Sequence, residues 1–489
     1  MFKSSLILTG FLGGLLLMST ASRAQTAEGI VSGEIDIHSA GAKGNGTTVD
    51  GAAIEIALLK NPHGKFYFPR GIYLLDNSNR GGLSGRTFSG SLRFAPGAIL
   101  KCTDVGPRSR DCVGFSRGSG LTIDGMEIDY AQPTPQPRNH AAGAALHTMF
   151  QTGMKVSNLR IDGSTSAGVY SEMDVDSEFS NISIKNTTAD GFSVVNGKNT
   201  RLSNLTTDVT MDDGLSIINY ASNPDNQGFV GTNIKVSRSA ARGITVPGQS
   251  NVQVSNFSVS QTCAQGVLIF NDLSFKTRTP DNVKFSQGEI SEVGAYTNER
   301  YPCKNQQTNG IGIHYIAAGS VSLDHIKITG STAGALAGNT GPTSHATASA
   351  SISDIDIAGP PLGTNGAKVG GVVIYKTGRL VMSKISLQNA SGGFFISHND
   401  DVEATDLSAK DVKGYLHRSF DFENNGKVQG NRLITTDDQD TPTGNEFVDF
   451  NNKEPASYRG VEAHIAKSSL KIEKGSNSTV ERVTPQSAR

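Results

Sequence analysis

The chain has 489 residues, with 56 Gly, 17 Pro, no Trp, 18% charged residues and a formal net charge of −1. Raised Gly without raised Pro excludes collagen and a Pro-rich disordered chain, and charge this low and balanced is unlike a solvated tail. Near-neutrality also argues against a general nucleic-acid binder, which needs a concentrated basic footprint, but leaves room for one basic groove.

Lys3 is followed by a mostly apolar run from Leu6 to Met18 and by the small-residue stretch Ser19 to Ala24. This pattern predicts a signal peptide over residues 1–24, with cleavage after Ala24. The run is short of the ~20 residues that span a bilayer, and no later stretch is long and apolar enough to do so. A secreted or periplasmic chain follows, in which disulfides are permitted. The four cysteines are Cys102, Cys112, Cys263 and Cys303. The nearest pairing, Cys102–Cys112 with Cys263–Cys303, is one of three connectivities.

Next comes a cap. Gly41 to Asp50 is turn-rich, Ala52 to Lys60 reads as a short amphipathic helix, and Lys65 to Leu75 looks like a strand pair. A helix over the first coil of a stack protects an edge that would otherwise pair with another chain.

A repeat then runs through the middle. Gly168, Gly191, Gly214, Gly243 and Gly266 each open a short β-branched or apolar run, at steps of 23, 23, 29 and 23 residues. Each period holds a second alternating strand, as in Phe179 to Ile184, Thr200 to Leu205 and Val252 to Val259. A looser beat continues at Gly310, Gly334, Gly370 and Gly392. Short alternating strands in phase with Gly are the signature of a β-solenoid, whose coils bury their apolar faces only by stacking. The longer step predicts a loop over Tyr220 to Gly231 that projects from the stack and can wall a cleft. The solenoid is a single domain over residues 25–455. After about Pro455 the beat is lost, and residues 456–489 read as a loosely attached tail.

Residues at one slot of successive coils stack in a column. The slot before each glycine holds Ala167, Asp190, Asp213, Arg242 and Gln265, and the slot before that holds Asp212. Asp before Gly is also an ordinary turn pair. In-phase carboxylates on adjacent coils nevertheless stand ~5 Å apart, at strand spacing, and such like charges need a proton, a metal or an Arg to offset them. A functional cluster is the stronger reading.

At these residues a family resemblance appears. Thr188-Ala-Asp-Gly191 followed by Met211-Asp-Asp-Gly-Leu-Ser-Ile217 resembles glycoside hydrolase family 28, the polygalacturonase-like enzymes. The N-terminal Gly41-Ala-Lys-Gly-Asn-Gly with Phe66-Tyr-Phe-Pro-Arg-Gly-Ile-Tyr73 looks like the opening of the wider pectate-lyase superfamily. The resemblance implies an all-β, single-domain, right-handed parallel β-helix of about 23 residues per coil with an N-terminal capping helix. The family's Gly-His-Gly slot is Ala241-Arg242-Gly243 here. The slot of its Arg-Ile-Lys, which grips a uronate carboxylate, is Gly266 to Phe270 with no basic residue. Lys276, Arg278 and Arg300 are the nearby replacements.

The resemblance implies hydrolysis of a polysaccharide or oligosaccharide, pectin-like or a bacterial exopolysaccharide, by inversion. Asp190 and Asp213 would hold the attacking water, Asp212 would be the general acid, and no cofactor would be needed. Arg242, Gln265, Tyr170, Lys276, Arg278 and His314 are the candidate substrate-binding residues. A second reading is a polysaccharide lyase or uronan epimerase, with Asp190, Asp212 and Asp213 as Ca²⁺ ligands and Arg242 as an unusual base. A third is a non-catalytic sugar-binding solenoid. The absence of Trp weakens it, with Tyr170, Tyr220, Tyr301 and Tyr315 as partial substitutes. His140, His147 and His398 read as structural.

Overall fold

The computed structural model describes residues 29–131, 138–296, 310–339, 346–359, 371–390, 392–412, 418–437, 446–465, 471–474 and 478–483. The expected signal peptide, together with Arg300, Tyr301 and Cys303, lies outside the described residues.

The second strand of each period is longer than the sequence beat suggested, and it is bent. In Thr200–Thr210, Leu202 and Leu205 are both buried, a spacing that flat alternation does not allow. Asn204, between them, has φ of 55°, a left-handed conformation that Asn tolerates better than most residues. Asn181, Asn233 and Asn256 occupy the same position in their strands. Each bend turns the strand so that apolar residues on both sides face one interior. The amides also form a ladder: Asn181 Nδ2 donates to Asn158 Oδ1 at 3.1 Å, Asn204 to Asn181 at 2.9 Å and Asn233 to Asn204 at 2.8 Å. Satisfying amides this way leaves the turn both polar and fixed.

The strands form two sheets, of 22 and 15 strands, in which strands pair in parallel with the next coil. The molecule is a right-handed parallel β-solenoid of about 14 turns. Its smaller sheet carries the glycine beat in register: Val169 lies beside Phe192, Phe192 beside Leu215, Leu215 beside Ile244, and Ile244 beside Val267. The glycines are there for space. A Cβ on Gly214 would stand 2.2 Å from Val236 Cγ1, and one on Gly191 would stand 2.6 Å from the Gly214 carbonyl oxygen. Later in the stack the in-register glycines are Gly312, Gly371 and Gly393, each offset by one or two residues from the expected Gly310, Gly370 and Gly392. The expected projecting loop lies between Leu215–Ile218 and Phe229–Ser239.

The cap is the helix Gly51–Lys60, which buries Ile54, Ala57 and Leu58. Its Glu55 carboxylate accepts the Ser84 N–H at 2.8 Å, an edge donor of the first strand of the smaller sheet. Lys65–Phe68 and Gly71–Leu75 are both strands, but they do not pair with each other. Phe66 lies beside Leu92 and Tyr73 beside Leu100, so each joins its own stack.

The chain after Pro455 corrects the expected loose tail. Ser457–Ile465 pairs with Lys427–Asp437, Lys471–Lys474 with Glu446–Phe450, and Thr479–Val483 with Ser457–Ile465. Stacking continues there with a poorer glycine beat. Cys102 and Cys112 form a disulfide. Cys263 is disulfide-bonded too, and its expected partner Cys303 lies outside the described residues. Among the described residues no helix is long and apolar enough to cross a membrane.

Candidate functional site

Three strands of the smaller sheet, Phe192–Val195, Leu215–Ile218 and Ile244–Pro247, begin just after Asp190, Asp213 and Arg242. Stacking therefore gathers these side chains, as the column predicts. One oxygen from each of Asp190, Asp212 and Asp213 lies within 4.8 Å of the others. They form the floor of a cleft of about 450 Å³.

Burial pushes the Asp213 carboxyl above the ordinary carboxylate range, and the donors around it, Arg242 first, oppose that rise. Arg242 Nε donates to its Oδ1 at 2.8 Å and Nη2 to its Oδ2 at 3.1 Å, while the Thr245 hydroxyl donates to Oδ2 at 2.9 Å. Asp190 has weaker company: the Ser193 hydroxyl at 2.7 Å and the Asp213 N–H at 3.1 Å. Burial, then the charges of Asp212 and Asp213, push its carboxyl up to about 7. Asp212 is different. Burial alone would raise it, but His140, Arg138 and Arg242 outweigh that and hold it below the ordinary carboxylate range. Arg138 Nη2 donates to Asp212 Oδ2, and His140 Nε2 lies 2.9 Å from the same oxygen. Arg242 Nη2 is 3.8 Å from Asp212 Oδ1. Side by side, then, stand one carboxyl that favours its proton and one that stays an anion.

Arg138 and His140 are anchored by Asn139, whose N–H donates to the Thr188 carbonyl at 2.8 Å and whose amide donates to the Thr165 carbonyl at 3.2 Å. One wall of the cleft is ionic. His147 Nδ1 lies 2.9 Å from Asp111 Oδ2 and its Nε2 3.6 Å from Glu172 Oε2. Burial alone would lower His147; the bonds to Asp111 and Glu172 overcome it and push the ring up to about 9. Tyr170 packs edge-on against it, with ring centroids 5.2 Å apart. The other wall is apolar, made by Ile218, Tyr220, Pro247, Phe270 and Phe275. Phe275 is 69% exposed.

Loops clasp this apolar wall. Arg278 Nη2 donates to the Asn223 carbonyl at 2.8 Å and Nε to Asn219 Oδ1 at 3.2 Å, and Arg278 Nε also lies 3.3 Å from Asp225 Oδ1. The Ala221 N–H donates to the Lys276 carbonyl at 2.9 Å. Asn196 holds the same loop from below, donating to Asn219 Oδ1 at 2.6 Å and to the Pro224 carbonyl at 3.1 Å.

Of the sequence candidates, Asp190, Asp212, Asp213, Arg242 and Tyr170 line the cleft. Four others do not. Arg278 is spent on the loop clasp, and the exposed Lys276 contributes its backbone to it. Gln265 stacks one coil beyond Arg242, outside the lining. His314 is buried with neither ring nitrogen hydrogen-bonded among the described residues; burial lowers it to about 4, so it is neutral. Conversely, His140 and His147, expected to be structural, both line the cleft, as do Arg138 and Asp111. Ser193 and Ser216 were readable in principle, each three residues after a column aspartate.

No family model matches the chain, and no curated protein matches it. Its fold is similar to that of solved structures at low identity. The A-module of the mannuronan C-5 epimerase AlgE4 of Azotobacter vinelandii is 14% identical, with a TM-score of 0.54 over 75% of this chain and 95% of that one. A hyperthermoactive exopolygalacturonase from Thermotoga maritima is 12% identical, with a TM-score of 0.53 over 74% and 93%. The Agl-KA catalytic domain is 16% identical, with a TM-score of 0.52 over 90% and 69%.

Proposed function

We propose that this chain is a glycoside hydrolase acting on O-glycosyl bonds of a polysaccharide, with Asp190, Asp212 and Asp213 as its carboxylate machinery. The observation that carries the reading is the convergence of three carboxylates from adjacent coils on the floor of one cleft, with unequal proton affinities. The fold neighbours, an exopolygalacturonase and a mannuronan epimerase among them, are polysaccharide-acting enzymes and support a polysaccharide-processing role. The likeness to glycoside hydrolase family 28 belongs to this proposal.

Asp190 and Asp213 are close enough to hold one water between them and take its proton as a pair. Attack of that water on the anomeric carbon, opposite the leaving sugar, inverts the configuration. The proton for the leaving oxygen comes from the Asp212 side. The apolar wall suits the flat, CH-rich face of a sugar ring. It carries no cation where the resembled family grips a uronate, which favours a neutral or sparsely charged sugar over galacturonan. Export through residues 1–24 is part of the same proposal, and the Cys102–Cys112 bond fits an oxidising compartment.

A Ca²⁺-dependent lyase or epimerase would need the same carboxylates as metal ligands. Their donor set fits poorly. Arg242 covers both oxygens of Asp213, and Arg138 and His140 share one oxygen of Asp212, whose Oδ1 alone is left without a hydrogen bond among the described residues. A divalent cation here would face two guanidinium groups at contact range.

The test is a panel of polygalacturonate, mannuronan, a neutral α-glucan and bacterial exopolysaccharides, with product anomers followed by NMR. Hydrolysis with inversion, unaffected by EDTA, is expected. An unsaturated, near-ultraviolet-absorbing product that disappears with EDTA would assign a lyase instead. Binding without turnover, surviving loss of all three aspartates, would assign a binding module.

A further inference from the structure

We infer that His140 is the proton donor of the reaction and that Asp212 is the carboxylate that orients it, an inference that rests on the hydrolytic reading above. Asp212 is enclosed by Arg138, His140 and Arg242. A carboxylate so surrounded is an acceptor, and protonating it would forfeit those contacts. It is buried, with a side chain 5% exposed, whereas the His140 side chain is 56% exposed and lines the cleft.

One ring nitrogen faces both a carboxylate and a guanidinium. His140 Nε2 lies 2.9 Å from Asp212 Oδ2 and 3.1 Å from Arg138 Nε. One nitrogen cannot both donate to the carboxylate and accept from the guanidinium. An unprotonated Nε2 would accept from Arg138 Nε but set its lone pair against the Asp212 oxygen 2.9 Å away, so Nε2 carries the proton and donates to Asp212. Nδ1 makes no hydrogen bond among the described residues, so its proton is free for the cleft. A carboxylate that fixes the tautomer and stabilises the imidazolium, with the ring itself moving the proton, is the division of roles in Asp–His pairs of acyl-transfer enzymes. The charged groups facing the ring are Asp212 and Asp190, which favour the imidazolium, and Arg138, which opposes it; the sum raises its proton affinity.

In the step, water gives a proton to the Asp190–Asp213 pair as its oxygen bonds the anomeric carbon. The bond from that carbon to the leaving oxygen breaks, its electron pair stays on the oxygen, and the Nδ1 proton of His140 neutralises it. The aspartate pair then releases its proton to solvent and His140 takes one up.

His140→Gln, Asp212→Asn, Asp190→Asn and Asp213→Asn would be compared on whichever panel polysaccharide the wild type cleaves, and on a dinitrophenyl glycoside of the same sugar. His140→Gln is expected to lose ~10²–10⁴-fold in kcat on the polysaccharide, but less than ~10-fold on the dinitrophenyl glycoside, whose leaving group needs no proton. The alkaline limb of the wild-type pH profile should vanish in His140→Gln and move to lower pH in Asp212→Asn. Imidazole ¹⁵N NMR should show His140 titrating above the ordinary histidine value in the wild type and lower in Asp212→Asn, whatever the turnover. A His140→Gln enzyme that keeps its rate and alkaline limb, or a His140 ring that titrates normally and ignores Asp212→Asn, overturns the inference. Failure of the hydrolytic reading looks different: no panel polysaccharide is hydrolysed, or Asp190→Asn and Asp213→Asn leave turnover intact.

Discussion

Arg242 Nε lies 2.8 Å from Asp213 Oδ1, although the two residues are 29 positions apart in the chain. They share one slot of neighbouring coils, so the pair is made by stacking alone. Its consequence is electrostatic. Without the guanidinium, the floor of the cleft would hold three carboxylates whose nearest remaining cations, Arg138 and His140, sit on Asp212.

Arg242→Gln is therefore expected to act on both folding and turnover. It strands Asp213 without a cation, which should cost about 2–3 kcal/mol, toward the low end for breaking a buried pair because the side chain is partly exposed. Turnover should fall at least ~10²-fold, since a base pair crowded by uncompensated charge holds its proton. Arg242→Lys should recover less than half of the lost stability, because an ammonium cannot reproduce the forked contact. Chemical denaturation and initial rates check both.

Asp190 carries a pH signature. In the unfolded chain it ionises near ~3.9, whereas in the fold it is pushed up to about 7. Between those values the folded state keeps a proton that the unfolded chain has lost, so this group's contribution to stability falls as pH rises through that window and is constant above it. Asp190→Asn removes the penalty and keeps both contacts, its Oδ1 accepting the Asp213 N–H and its Nδ2 donating to the Ser193 hydroxyl. The inactive variant should thus be the more stable protein at pH 8, by up to about 4 kcal/mol, with the difference closing toward pH 4. Thermal midpoints across pH test this, and a difference that does not change with pH would refute it. In the wild type, kcat/KM should rise along an acid limb near pH 7 as Asp190 ionises.

The aspartate column and Arg242 were legible in the sequence because a solenoid converts equal spacing into contact. The same logic misplaced Gln265 and His314. Columns run the length of the stack, but a cleft ends where its loops end, and spacing carries no information about walls. Lys276 and Arg278 illustrate this: their positions near the site were readable, but the Asn219 and Asn223 acceptors that turn Arg278 away from the cleft were not. Arg138 and His140 come from a loop outside the repeat, so no register pointed to them. The bend at Asn204 and its counterparts was also missed. A single left-handed residue leaves no break in hydrophobicity, only an Asn recurring in phase.

That Asn supplies a test of the coil itself. Asn204 is exposed, so its loss leaves no cavity; the cost would come from backbone strain at φ of 55° and from two ladder bonds. Asn204→Ala should destabilise by about 1–2 kcal/mol. Asn204→Gly should cost less, since Gly adopts the conformation freely and loses only the ladder. If Gly proves the worse of the two, the bend is not what the side chain protects.

Phe275 separates binding from chemistry. It lines the apolar wall of the cleft and is 69% exposed. Phe275→Ala should therefore leave the thermal midpoint within the small range of surface substitutions. Stacking of a ring face on an aromatic side chain contributes about 0.5–1.5 kcal/mol, so KM on the cleaved polysaccharide should rise ~2–10-fold with kcat unchanged, the pattern of uniform binding. Phe275→Tyr should restore KM. An unchanged KM would show that the sugar does not lie along this wall, and the preference for a sparsely charged substrate would lose its support.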